Sequence, residues 1–348
     1  MQRPCGTFDE TYGQDTAVIR TRAQWGLVIA GLIWLLTVPL YGGDYVLGLI
    51  NHISILIIAV LGLQITTGYC GLVSFGQAAF MAVGAYTSAI LTLNGLPFWL
   101  ALPLAGLAAG LIGLIGGAPS LRVKGFYLAL ATLAVHYVIM YLIMHLSITG
   151  ATAGLHPPPP RIGNFVFSSD KTMFYIIVPL MLLMTYFAKN LARTKLGRAF
   201  VAIRDNDLAA KVMGINLYYY KLLAFFIGCF FAGIAGSLLG HWWHVVAPEQ
   251  FTIVQSLMYV GMIIVGGLGS IAGVFFGVIS LRLLDEAVFL AAPSLSAAFP
   301  QLAMDIAAPL SGVVFGLVII LFLIFEPRGL AHRWEIFKTS YRLYPFSY

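Results

Sequence analysis

The sequence predicts an all-α polytopic membrane protein of about ten transmembrane helices, and three observations lead to that class. Hydrophobic residues make up 60% of the 348 residues and charged residues only 9%, against roughly 25% charged residues in soluble proteins. The apolar residues occur in runs close to the ~20 residues with which a helix crosses ~30 Å of hydrocarbon. No polar stretch is long enough for a separate soluble domain, so we expect one bundle embedded in the lipid bilayer.

The apolar runs divide the chain into three parts. Residues 1–24 are a polar tail without the features of a cleaved signal, residues 25–326 form the transmembrane domain, and residues 327–348 form a second tail. The predicted spans are 25–41, 45–66, 75–93, 97–119, 126–148, 173–190, 217–243, 251–268, 271–290 and 304–325. The third and ninth spans are either continuous or partly broken, and the sequence leaves this open.

The positive charges predict the orientation of the bundle. Of the 19 lysines and arginines, only Arg161 and Lys171 fall in a predicted outside loop, 149–172, and Arg282 lies within a span. The others lie in the two tails and in or beside the loops of the opposite face, above all in and around loop 190–216. The positive-inside rule assigns that face to the cytoplasm. We therefore expect both termini in the cytoplasm of a bacterium, a multi-pass protein of the inner membrane, and no nucleic-acid partner for the net charge of +6.

Enzyme and cofactor signatures are missing from the sequence. It contains no GxxxxGK[ST] loop for ATP and no HExxH pattern for zinc, and the three cysteines have no metal or disulfide spacing. His241 and His244 lie beside two tryptophans at a predicted span end, which favours a role at the outer lipid interface over metal binding. We expect no catalytic residue, no metal site and no cofactor in this chain.

Neutral polar residues mark a candidate solute path. The first eight spans carry no Asp, Glu, Lys or Arg near the bilayer centre, whereas such residues are typical of ion-coupled carriers. The candidates are Asn51, Gln64, Thr67, Ser74 and Gln77. In lipid, the glycine-rich backbone between the last four would be costly unless it faces protein or water. This stretch is therefore predicted to be a cavity wall, although its serines and threonines alternatively bond neighbouring helices or their own backbone.

The ninth span carries three charged residues, Arg282, Asp285 and Glu286. Spacings of three and four residues place them on one helix face, where they can pair. They lie toward the predicted outside end of the span. The sequence is consistent with an interfacial ion pair, with a gate, or with a contact for an extracellular protein.

Loop 190–216 predicts a pair of short helices on the cytoplasmic face. Thr194 caps a first helix that ends near Arg204, the polar run after it caps a second helix through Met213, and Gly214 ends that helix. An apolar patch of Phe200 and Ile203 lies among basic residues. An apolar centre within a charged rim is typical of a protein docking site, and the alternative is an amphipathic helix on lipid headgroups.

The same loop carries a family resemblance. The pattern GRAxxAIRxxxxAAxxxGI is matched by Gly197, Arg198, Ala199, Ala202, Ile203, Arg204, Ala209, Ala210, Gly214 and Ile215. It resembles the LivM family, permease subunits of ABC importers for branched-chain amino acids. The resemblance continues through 68–91, 121–134, 149–155, 265–277 and 325–330.

The resemblance implies a fold similar to the vitamin B12 and ribose permeases. It also implies a non-catalytic subunit that works with a second homologous permease, two cytoplasmic ATPases that bind ATP and Mg²⁺, and a periplasmic binding protein. The loop residues that it assigns to ATPase coupling are Gly197, Arg198, Ala199, Phe200, Ile203, Arg204, Asp205, Ala209, Ala210 and Gly214. Relatives that carry urea, short amides or aromatic acids leave the solute open, and an ion-coupled secondary carrier is the alternative from another class.

Overall fold

The computed structural model describes residues 26, 31, 35–120, 125–163, 165–298, 303–326 and 328–343. The described part is almost entirely helical, with one two-residue hairpin. The α-helices are α1 (Asp44–Leu63), α2 (Gln77–Leu93), α3 (Phe98–Ser120), α4 (Phe126–His145), α5 (Asp170–Arg193), α6 (Lys195–Asp205), α7 (Asp207–Val212), α8 (Leu217–Trp243), α9 (Ile253–Gly266), α10 (Ile271–Ala298), α11 (Ala303–Phe325) and α12 (Leu330–Leu343). A π-helical segment, Gln64–Tyr69, directly extends α1.

Three kinds of short element complete the chain. The 3₁₀ turns are Ser147–Thr149, Ala151–Ala153 and Pro248–Gln250. The strands β1 (Arg161–Ile162) and β2 (Phe165–Val166) pair antiparallel, with Arg161 opposite Val166. Residues 35–41 are helical as well, whereas most of the predicted first span, and the tail before it, lies outside the described residues.

Among the described residues, six helical segments have the length and hydropathy to cross a membrane. They are Asp44–Tyr69, Phe98–Ala118, Phe126–His145, Asp170–Arg193, Leu217–Trp243 and Pro248–Gly266. The bent pair Gly312–Phe325 and Leu330–Ser340 would make a seventh. The all-helical, multi-span class is confirmed, and the number ten is not. The ninth predicted span is one continuous helix, α10, and the third is the shorter α2 of 17 residues, which a non-helical turn separates from the π segment.

Helix α8 lies at the centre of the bundle, where it packs against α1, α2 and α3. Glycines allow the backbones of these helices to approach closely. A Cβ added to Gly84 would overlap the backbone of Gly233, and a Cβ added to Gly236 would overlap the carbonyl of Met81. Small residues serve this purpose in membrane bundles because lipid supplies little hydrophobic drive for helix association. The contact between α2 and α8 therefore depends on having no side chain at these positions.

The predicted outside loop is held to the bundle by the end of α8 and by the residues that follow it. Leu155 and Val246 exchange two backbone hydrogen bonds, of 2.9 and 2.8 Å. The Nδ1 atom of His241 lies 3.1 Å from the carbonyl oxygen of Pro158, and its Nε2 atom lies 2.9 Å from the hydroxyl of Ser88. Since a carbonyl only accepts, Nδ1 carries the proton and Ser88 donates to Nε2. The predicted role of His241 at the lipid interface is therefore wrong. Its side chain is buried, and two distant parts of the chain supply hydrogen-bond partners for its two ring nitrogens.

Candidate coupling segment and solute path

The cytoplasmic helix pair predicted for loop 190–216 is present as α6 and α7. The Thr194 hydroxyl oxygen accepts a hydrogen bond from the backbone N–H of Gly197 at 3.5 Å, which caps α6. The Asn206 side-chain oxygen accepts one from Ala209 at 3.0 Å, which caps α7. Gly214 follows α7 with φ of +85°, the left-handed conformation that glycine adopts without strain. Local capping chemistry thus fixed both helices, and we refer to residues 194–214 as the coupling segment.

Helix α6 turns its apolar side chains into the protein. Ala199, Phe200 and Ile203 are all buried, and Phe200 is only 1% exposed. The Phe200 ring meets Tyr220 of α8 nearly edge-on, with ring centroids 6.4 Å apart. A Cβ on Gly197 would overlap the last carbonyls of α5, so α6 packs tightly under that helix.

The predicted docking patch of Phe200 and Ile203 is therefore wrong as an exposed surface. The pattern correctly indicates an amphipathic helix, but the bundle of the same chain covers its apolar face. A local sequence pattern shows that a helix has an apolar face, and it does not show which surface will cover that face.

The exposed apolar surface of the coupling segment lies on and just after α7. Leu208 is 69% exposed, Val212 is 87% exposed and Met213 is 82% exposed. Ala210, between them, is buried and holds α7 against the bundle. We call Leu208, Val212 and Met213 the apolar tip. Sequence reasoning missed it because α7, with six residues, is too short to show a clear periodicity.

Arg204 connects the coupling segment to the membrane part of the chain. Its Nη1 atom donates a 2.9 Å hydrogen bond to the carbonyl oxygen of Gly68 in the π segment. Its Nε and Nη2 atoms contact a carboxylate oxygen of Asp205 at 3.0 and 2.9 Å. Arg198, by contrast, is exposed and donates to the carbonyl oxygen of Arg193 at 3.3 Å. A displacement of α6 would therefore act directly on the π segment through Arg204.

Four of the five candidate path residues lie around the π segment and the turn after it. The Nε2 atom of Gln64 donates to the carbonyl oxygens of Gly267 and Ser270, at 3.2 and 3.0 Å. Gln77 donates to the carbonyl oxygen of Ala59 at 2.8 Å. The remaining contacts are from Thr67 to the Leu72 carbonyl at 3.0 Å and from the Gly76 N–H to Ser74 at 3.4 Å.

Asn51 lies apart from those four, toward the predicted outside face, where it donates to the carbonyl oxygen of Asp170 at 3.0 Å. In the described part of the chain, the side-chain oxygens of Asn51 and Gln64 are buried and accept no hydrogen bond. Gln64 and Gln77 brace helices in this conformation, and π segments occur often at functional sites. That these residues line a solute path stays a prediction.

The three charges of the ninth span form ion pairs. Arg282 lies 3.8 Å from the carboxylate of Asp285 and 3.5 Å from that of Glu286. The hydroxyl of Tyr45, at the start of α1, donates to Glu286 and so ties α10 to α1. The predicted pairing is confirmed, and a role as a gate stays a prediction. Within the described ranges, no three His, Cys, Asp or Glu side chains are placed to share a metal ion.

Comparison with known proteins agrees with the resemblance of the coupling segment. The family model described as branched-chain amino acid transport system / permease component matches residues 45–323. The high-affinity branched-chain amino acid transport system permease protein LivM of Escherichia coli K12 is 33% identical over 302 residues, which cover 79% of this chain and 67% of the relative. LivM of Salmonella typhimurium LT2 is 32% identical over the same shares.

A second kind of permease matches more weakly. The permease protein LivH of the high-affinity branched-chain amino acid transport system of Escherichia coli K12 is 25% identical over 305 residues, 80% of this chain and 92% of the relative. No solved structure matches the sequence significantly. The matched region runs from the first turn of α1 to near the end of α11 and includes the coupling segment. The chain thus belongs to the branched-chain amino acid transport permease family, whose members are membrane subunits and not themselves enzymes.

Proposed function

We propose that this chain is a LivM-type permease subunit of an ATP-driven importer, and that it passes branched-chain or related amino acids across a bacterial inner membrane with both termini in the cytoplasm. The observation that carries the proposal is the family match over residues 45–323. The first relatives are named for branched-chain amino acids, and urea, amides and aromatic acids have no comparable support. Neutral polar groups in the predicted path suit a zwitterionic solute better than an ion.

The partners follow from what the chain and its relatives contain. A subunit without a phosphate-binding loop needs ATP and Mg²⁺ to be bound elsewhere, by two cytoplasmic ATPases. The match to both LivM and LivH supports a pair of homologous permeases around one path. A periplasmic binding protein would deliver the solute to the face that carries loop 149–172.

We propose that the apolar tip is the ATPase contact. Its three side chains are 69–87% exposed, on the face to which the charge pattern assigns the cytoplasm. Asp207 and Lys211 place both signs of charge beside the tip, and an apolar centre within a charged rim is typical of a protein docking site. This arrangement favours a protein pocket as the occupant. Arg204 would carry a movement of the ATPase to the π segment, because it bonds Gly68 there.

Reconstitution tests this function. The chain, its partner permease, the ATPases and the binding protein are placed in proteoliposomes, and uptake of labelled L-leucine, urea and benzoate is measured. We expect L-leucine uptake that requires internal ATP and the binding protein and that resists a proton ionophore. Uptake driven by an ion gradient without the ATPases would establish the secondary carrier instead, and ATP-driven uptake of urea or benzoate alone would change the solute.

A further inference from the structure

Helix α12 has an aromatic face that is largely exposed. Trp334 and Phe337 lie three residues apart and so share one side of the helix, and their rings stack with centroids 6.0 Å apart. Trp334 is 52% exposed and Phe337 is 63% exposed. The Trp334 ring also meets Phe276 of α10, with centroids 5.9 Å apart. The bundle therefore touches this aromatic face at one edge and leaves most of it uncovered.

Basic residues lie on both sides of the aromatic face. Lys338 follows Trp334 by four residues, and Arg333 precedes Phe337 by four, so each cation neighbours one of the rings. Glu326 forms an ion pair with Arg333, whereas no described carboxylate is paired with Lys338. Aromatic residues on one face with basic residues beside them are typical of a helix that lies in the interface of a membrane.

Three cations from two helices come together beside α12. Lys189 and Arg193 lie four residues apart at the end of α5, and the ammonium of Lys189 is repelled both by Arg193 and by Lys338. We call Lys189, Arg193 and Lys338 the basic cluster. All three residues are exposed, and within the described ranges no ion pair joins them to a carboxylate. An anion bound between them would relieve their mutual repulsion.

The beginning of α12 is fixed to the bundle. A Cβ on Gly329 would overlap the backbone of Gly267, in the turn between α9 and α10, and Ala331 is buried beside the same glycine. From there α12 departs by 45° from the direction of α11. The basic cluster includes Arg193, the last residue of α5, and α6 begins two residues later. The aromatic face is thus held at a defined place, on the side of the bundle that carries the coupling segment.

The surface next to α12 indicates what covers the aromatic face. Ile324 and Phe325, at the end of α11, are 67% and 74% exposed. They belong to the predicted span 304–325, so the exposed rings of α12 continue an apolar surface that begins inside the membrane. The cytoplasmic leaflet beside that surface carries negative charge, which is the sign that the basic cluster attracts. Apolar continuity and charge complementarity therefore both favour lipid as the occupant.

We propose that the basic cluster and the aromatic face of α12 together bind an anionic phospholipid of the cytoplasmic leaflet. The lipid phosphate lies on the basic cluster, and Trp334 and Phe337 lie at the boundary between headgroup and acyl chains, where tryptophan is enriched in membrane proteins. A soluble anion would satisfy the cations and leave both rings in water. The inference goes beyond the proposed function, because it requires only that the chain spans a membrane with anionic lipid.

Native mass spectrometry of the full chain, released from micelles with equal amounts of phosphatidylglycerol and phosphatidylcholine, measures the binding. We expect the wild type to retain phosphatidylglycerol preferentially. Lys189→Gln with Lys338→Gln should reduce this preference about tenfold or more, since each cation near a membrane surface contributes roughly fivefold. The matched control, Arg161→Gln with Lys211→Gln, removes the same charge at exposed sites elsewhere and should retain the preference. A preference that the lysine pair leaves unchanged, or that the control loses equally, would overturn the proposal.

Competition separates a lipid site from a site for a soluble anion. Millimolar glycerol 3-phosphate, which has the phosphate and no acyl chains, should not displace phosphatidylglycerol. Trp334→Ser with Phe337→Ser should weaken retention of phosphatidylglycerol severalfold although the basic cluster is intact. Displacement by glycerol 3-phosphate, or full retention after loss of both rings, would mean a simple anion site and would contradict the proposal.

Heat resistance and ATPase binding complete the test. Phosphatidylglycerol should raise the temperature at which the wild-type chain loses its monodisperse peak, because a ligand of the folded state stabilises it. It should have little effect on the lysine double variant. If that variant instead keeps phosphatidylglycerol and loses the ATPases in co-purification, α12 faces a protein and the proposal is wrong. None of these measurements uses leucine uptake, so the lipid site and the proposed function can fail separately.

Discussion

The two helices of the coupling segment are similar in composition, but the large apolar side chains of α6 are buried and those of α7 are exposed. Helix α6 buries Phe200 and Ile203 in its own bundle, whereas the apolar tip on and just after α7 is exposed. Both helices are capped, short and surrounded by charges. The difference shows that one apolar surface anchors the segment to the bundle and the other stays exposed, as the proposed ATPase contact requires. An exposed apolar tip held by a rigid buried helix is what a transmitting element requires, because a loosely held tip would absorb movement.

Length explains much of this difference. With 11 residues, α6 forms about three turns, and a stripe of side chains on one face can cover an equal stretch of the bundle. With six residues, α7 has fewer than two turns, and Ala210 is its single buried residue. We therefore expect mutations in α6 to act on stability and mutations in α7 to act on association.

Phe200→Ala should have the largest effect. Removing a fully buried phenylalanine costs about 3–5 kcal/mol of the free energy of unfolding, so α6 should come loose from Tyr220. The temperature at which the purified chain loses its monodisperse peak in detergent should fall clearly. Val212→Ala, on the exposed tip, is the matched control and should change stability by less than ~0.5 kcal/mol. Equal heat resistance of the two variants would contradict the burial of α6.

Replacing the apolar tip by serine at Leu208, Val212 and Met213 should weaken ATPase binding. Loss of central interface anchors costs ~2 kcal/mol or more, which corresponds to about 30-fold in affinity. Co-purification and binding titration of the ATPases measure it. The heat resistance of the permease alone should be unchanged, since these side chains contact little of the chain.

The control for the tip is Ile336→Ser with Phe337→Ser, which removes exposed apolar side chains of α12. These changes should leave ATPase binding intact. If both sets of changes weaken binding equally, the loss is a general effect of surface polarity, and the tip has no special part in docking.

The sequence predicted the local features of this site and missed the tertiary ones. A cap at Thr194, a second cap within the polar run 205–207 and the stop at Gly214 could be predicted, because their partners lie within three residues or in the residue's own backbone. The burial of the Phe200 side chain could not be predicted, because it depends on contacts with another helix, such as that with Tyr220. His241 was placed at the lipid interface for the same reason, since Ser88 and Pro158 are distant in sequence.

The bundle itself shows the same limit. Hydropathy is sufficient to predict a multi-span helical protein, because each span in lipid must form its backbone hydrogen bonds within itself. It was insufficient for the π segment, whose geometry depends on bonds such as that from Arg204 to Gly68. Gln64 and Gln77 bond carbonyl groups that belong to distant parts of the chain, and their place in a cavity wall stays a prediction.

The smallest expected effects come from removing the two helix caps, and they should differ between α7 and α6. An N-cap contributes about 1 kcal/mol. Asn206→Ala should fray α7, because this helix buries only Ala210, and should lower ATPase affinity about fivefold without changing heat resistance. Asn206→Asp should preserve the cap. Thr194→Ala should have little effect on either property, because Phe200, Ile203 and Arg204 still hold α6.

Hydrogen exchange of the Ala209 and Gly197 amides measures directly how much each helix depends on its cap. That N–H donates to Asn206 at 3.0 Å, so it should exchange faster in Asn206→Ala, whereas the Gly197 amide in Thr194→Ala, with its longer 3.5 Å bond, should change less. A cap effect of equal size in both helices would mean that α6 is held by its cap and not by its buried face. The distinction between α6 as an anchored helix and α7 as the carrier of a docking tip would then be wrong, because the two helices would be equally unstable without their caps.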